Sequence, residues 1–334
     1  MVHDASFNGP GDTTVCVVIV NYNSGDLLAD CVQSVLASRL HAAIYVSDNA
    51  SQDDSIARLR ERVGDHPLVT IVRNERNLGF AAGNNVVLPL CRAEYILCLN
   101  PDAVLAEDAL GNLLTAAAEH REFACFAARM VQSKRREILD GAGDAYHVSG
   151  LVWRRGYGLP AIDSAHMQPR EIFSACAAAA LYRRDAIEAA GGFDEDYFCY
   201  LEDVDLGFRL RLLGYRCLYV PGALVYHVGS AITGRESDFV VYHGHRNLVW
   251  TYVKNMPPAL FWLYLPLHIA ANIAIVVRYG LRGRWGVMLR AKLDALKTLA
   301  PMWRKLRAIQ ARRVAPAWQV RKVMEKGLFP RRDR

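Results

Sequence analysis

Apolar runs and polar breaks alternate regularly over the first third of the chain. Val15 to Val20 is a continuous, mostly β-branched run, the pattern of a strand covered on both faces. Ser24 then opens a helix through about Ser38, and Ala43 to Ser47 reads as a second strand. A polar turn leads to a helix near Ser55 to Val63. Thr70 to Val72 is a third strand, Gly79 to Leu90 a helix, Tyr95 to Leu99 a fourth strand and Glu107 to Glu119 a further helix. Strands alternating with helices predict βαβ units and a mostly parallel sheet. Between Phe123 and Tyr182 the pattern loosens into short strands, glycines and aromatics. A helix over Asp203 to Leu213 follows, then two short strands near Arg216 to Val220 and Leu224 to Val228.

The last segment differs in kind. Asn255 to Val277 is a run of 23 residues without Asp, Glu, Lys or Arg, long enough to span a bilayer. It also contains Pro257, Pro258, Pro266, His268 and Asn272. Beyond it, Trp285, Met288, Leu289, Leu293, Leu296, Met302, Trp303, Leu306 and Ile309 recur at helical spacing, with Lys and Arg between them. That pattern predicts a basic amphipathic helix lying in a membrane interface.

Charge sharpens this division. Residues 278–334 hold 17 Lys+Arg and 3 Asp+Glu, net +14, whereas residues 1–277 hold 23 and 31, net −8. The chain's overall +6 therefore averages an acidic body and a basic tail. A single span with a cytosolic body would export the basic tail, against the positive-inside rule. An interfacial or re-entrant segment is the favoured reading; a helical hairpin packed on the body is the alternative. The eight cysteines form no C-x-x-C pair and most sit in apolar runs, as small buried hydrophobes in a reducing compartment do. Met1 to Thr14 is polar, without the apolar region of a signal peptide, so a cytoplasmic location is expected.

Candidate chemistry lies where strands end. Asn21-Tyr22-Asn23, Ser47-Asp48-Asn49-Ala50-Ser51, Asn77 to Asn84, and Asn100-Pro101-Asp102 follow four successive strands. In an open α/β sheet such loops converge on one crevice. Neither G-x-G-x-x-G after the first strand nor G-x-x-x-x-G-K-[ST] is present, which counts against a dinucleotide oxidoreductase and a P-loop NTPase. Asp102, with Asn100, is suited to holding a divalent cation against a diphosphate, since hard cations prefer oxygen. Asp48 is suited to a base or ribose, with a turn or helix cap as the less favoured alternative. A second constellation, Gly191 to Asp205, is acidic and aromatic together and enters the helix carrying Arg209 and Arg211. Helix capping needs fewer acids than this, and a carboxylate here suits a general base toward a hydroxyl. His227 ends an apolar strand, where a structural histidine is ordinary unless a metal is near.

Together these motifs resemble family 2 glycosyltransferases, and within them the bacterial rhamnosyltransferase-like branch. The resemblance rests on Val20-Asn21-Tyr22-Asn23, Asp48-Asn49-Ala50-Ser51, Asn77-x-Gly79-Phe80-Ala81-x-Gly83-Asn84, Asn100-Pro101-Asp102, Gly191-Gly192-Phe193-Asp194-Glu195 and Tyr200-x-Glu202-Asp203-Val204-Asp205. It covers about residues 15–255. It implies a GT-A fold (Rossmann-like, with a mixed sheet) and an inverting single displacement on a nucleotide-diphosphate sugar. By position, Val20, Asn21, Tyr22, Asp48, Asn77, Gly83 and Asn100 are implied on the donor side. Asp102 is the implied acid of the metal-binding D-x-D element, here with Asn100 in first place, and His227 completes the site for Mg²⁺ or Mn²⁺. Asp203 is the implied catalytic base, with Glu202, Asp205, Cys176 and Trp153 on the acceptor side. For the Phe173 to Ala177 stretch a buried strand or helix fits equally, and for Trp153 and Tyr157 aromatic core packing is favoured over stacking on a sugar face.

The expected organisation is a polar tail over 1–14, a GT-A domain over 15–255 and a membrane-associating helical region over 256–334. The expected activity is transfer from dTDP-L-rhamnose to a hydroxyl of a lipid-linked glycan for surface polysaccharide. UDP-hexose and UDP-galactofuranose are alternative donors, and an inactive membrane-bound scaffold is the alternative role. Expected partners are the nucleotide sugar, the lipid-linked acceptor and an anionic membrane surface on the cytoplasmic face of the inner membrane. Trp, Leu and Met interleaved in the basic tail suit lipid better than a phosphate backbone, so no nucleic-acid partner is expected.

Overall fold

The computed structural model describes residues 13–229 and 237–327. Nearly all of the polar tail, Ser230 and the last basic residues lie outside them. The first half is built as the hydrophobic pattern requires. Strands β1 (Val15–Asn21), β2 (Ala43–Asp48), β3 (Val69–Arg73) and β4 (Tyr95–Leu99) run parallel in the order β3-β2-β1-β4. In β1, Val15, Val17 and Ile19 face one core with Leu28 and Val32 of α1 (Asp26–Leu36), while Cys16 and Val18 face a second core with Ala81 and Val87 of α3 (Gly79–Val87). A strand covered on both sides has no polar alternation, hence its unbroken apolar run. α2 (Ser55–Val63) and α4 (Ala109–Glu119) cover the α1 face. α3 stops three residues before the predicted end, because Pro89 tightens Leu88–Leu90 into a 3₁₀ turn.

Beyond β4 the sheet becomes mixed rather than mostly parallel. β11 (Ala179–Arg183) is wedged antiparallel between β4 and β6 (Phe123–Gln132), and β12 (Arg216–His227) runs parallel to β6. The two strands predicted near 216–220 and 224–228 are one strand, irregular where Pro221-Gly222-Ala223 interrupt its register. β5 (Ala103–Leu105) pairs antiparallel with the end of β12, placing Ala103 opposite His227. β7 (Arg135–Gly141) pairs with β6, and β8 (Asp144–Tyr146) and β9 (Val152–Arg154) form a small hairpin. α5 (Arg184–Ala190) and α6 (Glu202–Leu212) cover the α3 face.

The predicted amphipathic helix after the apolar run is two helices, α9 (Trp285–Lys297) and α10 (Leu299–Ala311), and they fold back onto the body. Met288, Ala291 and Ala295 turn one face of α9 inward, while Met302 and Leu306 do the same for α10. They pack with α7 (Asp238–Asn255), α8 (Pro258–Gly280) and α11 (Ala317–Lys322) in a third core that includes Tyr146, Phe173 and Phe208 of the body. α9 and α10 thus lie against the body, as the hairpin alternative has them. Among the described residues α8 is the one helix long and apolar enough to cross a membrane. It also lies along the body: His268 Nδ1 is 2.7 Å from the Ser149 oxygen, and its ring stacks on Tyr252 at 3.9 Å. Its far side stays apolar and exposed, with Trp262 63% and Leu263 62% accessible.

Candidate active site

The carboxyl ends of β1, β4 and β12 and the N-terminus of α6 surround a cavity of about 740 Å³. Val20, Tyr22, Asn77, Asn100, Asp102, Trp153, Cys176, Glu202, Asp203 and His227 all line it. Asn49, Asp140, Asp144, Arg154 and Tyr157 line it as well.

On one side stand Asp102 and His227. The antiparallel β5–β12 register draws them together, and the main chain locks the turn: Val228 N donates to Asp102 O at 3.0 Å, and Gly229 N to Asp102 Oδ2 at 3.1 Å. Asp102 Oδ1 is 3.3 Å from His227 Nε2, and Asn100 Nδ2 is 3.5 Å from that nitrogen. The other ring nitrogen, Nδ1, is 2.7 Å from Asp140 Oδ2. Burial disfavours charge on the imidazole, yet hydrogen bonds and charge from Asp102 and Asp140 outweigh it and raise its pKa to about 9. Burial works against the Asp102 carboxylate too, and the His227 contact overrides it, holding its pKa below the usual range. A carboxylate orienting the distal nitrogen of a histidine is the arrangement that presents the near nitrogen to a cation. Carboxylate oxygen plus imidazole nitrogen, with the Asn100 amide beside them, is a donor set that would fit Mn²⁺ or Mg²⁺.

On the other side stands Asp203, in the first turn of α6. Its Oδ2 accepts from Ala177 N at 3.0 Å and its Oδ1 from Val204 N at 2.8 Å. The segment Cys176-Ala177-Ala178 links the two sides, for Ala178 O accepts from Asn100 N at 3.0 Å. Glu202 is buried, and burial together with the Asp203 charge pushes its carboxyl well above the usual range. Asp144, Cys176 and Asp203 bring ligand atoms within 4.8 Å of one another. Arg154 already supplies positive charge there, donating to Cys176 Sγ at 3.0 Å and to Asp140 Oδ2 at 2.7 Å. Burial and the Asp203 charge raise Asp144 to about 8. Trp153 is on the cavity wall, and its indole N–H has no hydrogen-bond partner among the described residues.

Several expected contacts prove to be braces. Asn21 is fully buried and donates to Asp48 Oδ1 at 2.9 Å and to Ser51 and Ser55 Oγ at 3.0 Å, tying β1 to β2 and α2. Asp48 is buried in the same network, and neither residue lines the cavity. The neighbouring Asn49 does, with its amide on Gly79 O at 3.0 Å. Gly83 is a packing glycine: a Cβ there would sit 2.7 Å from Val20 Cγ1, so only glycine lets α3 close on β1. Asp205 departs furthest from the acceptor side. It is wholly buried, bonded to Arg209 Nε at 2.9 Å, Lys254 Nζ at 2.6 Å and Asn255 Nδ2 at 2.7 Å, and it ties α6 to α7.

Three site elements escaped the sequence pattern. Asp140 and Arg154 lie in the region of loosened periodicity, where nothing marks which carboxylate meets His227. Asn247, in the middle of α7, donates to the oxygens of Tyr197, Cys199 and Tyr200 at 3.1, 2.9 and 2.7 Å. That clamp holds a turn in which Phe198, Tyr200 and Leu201 all adopt positive φ, a strained backbone that presents Glu202 and Asp203.

The architecture and the motifs can now be set against known proteins. Residues 16–191 match the model for glycosyl transferase family 2. The chain belongs to this family. An N-acetylglucosaminyl-diphospho-decaprenol L-rhamnosyltransferase of Mycobacterium tuberculosis is 27% identical over 80% of this chain and 94% of its own length. Rhamnosyltransferase WbbL of Escherichia coli is 25% identical over 64% of this chain and 83% of its own. A Pyrobaculum calidifontis mannosyltransferase solved with GDP-mannose and Mn²⁺ superposes with a TM-score of 0.55 at 17% identity, over 93% of this chain and 86% of that one. The fold of this glycosyltransferase is GT-A, with a helical C-terminal extension.

Proposed function

We propose that this chain is an inverting, divalent-metal-dependent sugar transferase. Its best-supported donor is dTDP-L-rhamnose and its best-supported acceptor is a hydroxyl of a lipid-linked glycan in surface-polysaccharide assembly. The observation that carries the chemistry is the pairing, across one cavity, of Asp102–His227 with Asp203. The donor diphosphate lies toward Asn100 and Asp102, its nucleoside toward Val20, Tyr22, Asn49 and Asn77. Asp203, held by two amide hydrogen bonds, takes the proton of the acceptor hydroxyl while that oxygen attacks the anomeric carbon from the face opposite the diphosphate. Asp102 and His227 would hold a divalent cation, which would supply Lewis-acid neutralisation of the departing diphosphate. Glu202 stands beside Asp203 on the acceptor side, and Trp153 and Tyr157 offer aromatic faces to the sugars.

The names of the relatives support the donor and the lipid-linked acceptor. The exposed apolar side of α8 supports a monotopic seat on the cytoplasmic membrane face. A thermal-shift screen of nucleotide sugars with and without Mn²⁺ tests this. dTDP-L-rhamnose with Mn²⁺ is expected to stabilise the protein more than UDP-hexoses or UDP-galactofuranose do. Stabilisation by no nucleotide sugar under either condition would contradict the transferase reading and favour an inactive scaffold.

A further inference from the structure

A second cavity of about 860 Å³ lies between α7, α8, α9 and α10. Small-molecule pockets run roughly 300–1,000 Å³, so it has ligand size. Its walls are apolar, with Val249, Val253, Ile269, Val276, Leu296 and Trp303 among them. It opens on the exposed apolar side of the molecule, since Ile273 and Leu296 both line it and remain more than half accessible. Three cations interrupt the hydrocarbon: Lys292 inside, and Arg304 and Arg307 one turn apart on α10.

Lys292 is the unusual member. It is largely buried and donates to His245 O at 2.9 Å and Asn272 Oδ1 at 2.6 Å, both neutral. Among the described residues it forms no ion pair. Burial alone pushes its pKa down to about 7. A buried ammonium without an anion is costly, and chains retain one where an anion arrives. Its position is equally specific. His245, whose oxygen it holds, lines the catalytic cavity, and the His245 ring packs on Tyr279 of the same wall at 5.0 Å. The two cavities back onto each other at this point.

We propose that this groove binds a long-chain lipid phosphate, its hydrocarbon along the α7–α8–α10 walls and its phosphate on Lys292, with Arg304 and Arg307 at the mouth. The proposal deepens the transferase reading and rests on it: the groove is the seat of the acceptor's lipid portion. Apolar walls open to the membrane side suit the chain, and cations without carboxylate partners inside them suit a phosphate.

The test uses the full-length protein in detergent micelles, with decaprenyl phosphate, decaprenol and inorganic phosphate as probes and Trp fluorescence as readout. Decaprenyl phosphate is expected to bind at least tenfold more tightly than decaprenol, and inorganic phosphate is not expected to displace it at equal concentration. Lys292→Met and the surface pair Arg304→Gln/Arg307→Gln should each remove most of that preference. Ala300→Trp, which fills the groove, should weaken both lipids tenfold or more. The surface pair cannot act by unfolding the core, and thermal melts check the other two. Equal affinity for phosphate and alcohol, displacement by inorganic phosphate alone, or unchanged binding by all variants would overturn the proposal. Nucleotide-sugar binding, measured in parallel, is expected in every variant. Its failure in the unmodified protein would count against the transferase reading and leave the lipid result standing.

Discussion

At the scale of single residues, the site sets Asp203, the proposed proton acceptor, across one cavity from Asp102 and His227, the pair proposed to face phosphate. Asp140 is the residue on which the pair depends. It fixes the Nδ1 side of His227, so Asp140→Asn should weaken Mn²⁺ binding about 10–100-fold without emptying the cavity, as loss of such orienting partners generally does. Titration of Mn²⁺ by electron paramagnetic resonance in the presence of nucleoside diphosphate reads this directly. An unchanged affinity would remove Asp140 from the metal side. Asp102 stood out in the sequence as an acid at a strand end, whereas Asp203 and His227 were singled out by the family resemblance, since a histidine ending an apolar strand is ordinarily structural. Asp140 was not, because its role arises from the β6–β7 pairing that brings it to a histidine 87 residues away. Asn21 and Asp48 were legible as polar positions, but their hydrogen bonds point inward to each other, a direction a linear motif does not encode.

At the scale of elements, the catalytic helix is held from behind by α7. Asn247 anchors the strained 197–201 turn with one side chain. Asn247→Leu leaves buried carbonyls without donors, each worth about 1–3 kcal/mol, and lets the turn relax. The expected result is a lower unfolding free energy in urea and a lower kcat, with donor affinity nearly kept. An enzyme as stable and as fast as the unmodified one would contradict the clamp.

Beside it, Lys254 and Lys305 meet Asp194, with Lys254 also bonded to Asp205. Burial opposes the Asp194 carboxylate, but the Lys254 charge prevails and holds its pKa well below the usual range. A carboxyl whose pKa is depressed on folding binds fewer protons folded than unfolded. Its contribution is therefore present above about pH 4, near the unfolded value, and is lost as pH falls further. Asp194→Asn should destabilise the protein at pH 7, and the gap from the unmodified chain should begin to narrow below pH 4 and shrink further toward the depressed folded-state pKa. Urea melts from pH 7 down to pH 3 check this; a gap as large at pH 3 as at pH 7 would contradict it. The βαβ half was readable because its period is regular. The antiparallel insertion of β11 was not, since a buried Ala-rich strand carries no mark of its neighbour's direction.

At the scale of the whole molecule, the opposed charges of body and tail acquire a geometry. Among the described residues most of the tail's basic side chains lie on α8 to α11, which pack on the body, and α8 and α9 each keep exposed apolar side chains. Trp285, Leu289, Leu293 and Leu296 are exposed along α9, and Trp262, Leu263 and Ile273 along α8. A helix tied to the body at His268 lies along the protein, which favours a seat in the interface over a span. The protein is accordingly expected to float with anionic vesicles, to be released by alkaline carbonate, and to lose binding when Trp262 and Leu263 are replaced by Ser. Retention after carbonate would indicate a span instead.

The central claim is that Asp203 deprotonates an acceptor hydroxyl beside a metal-bound diphosphate. The most direct measurement is single-turnover transfer from dTDP-L-rhamnose to a lipid-linked N-acetylglucosamine acceptor with Mn²⁺, comparing the unmodified protein with Asp203→Asn. The expected result is an unchanged donor Kd with a transfer rate lower by about 10²–10⁴-fold, the usual worth of a general base. Transfer at the unmodified rate by Asp203→Asn would contradict it.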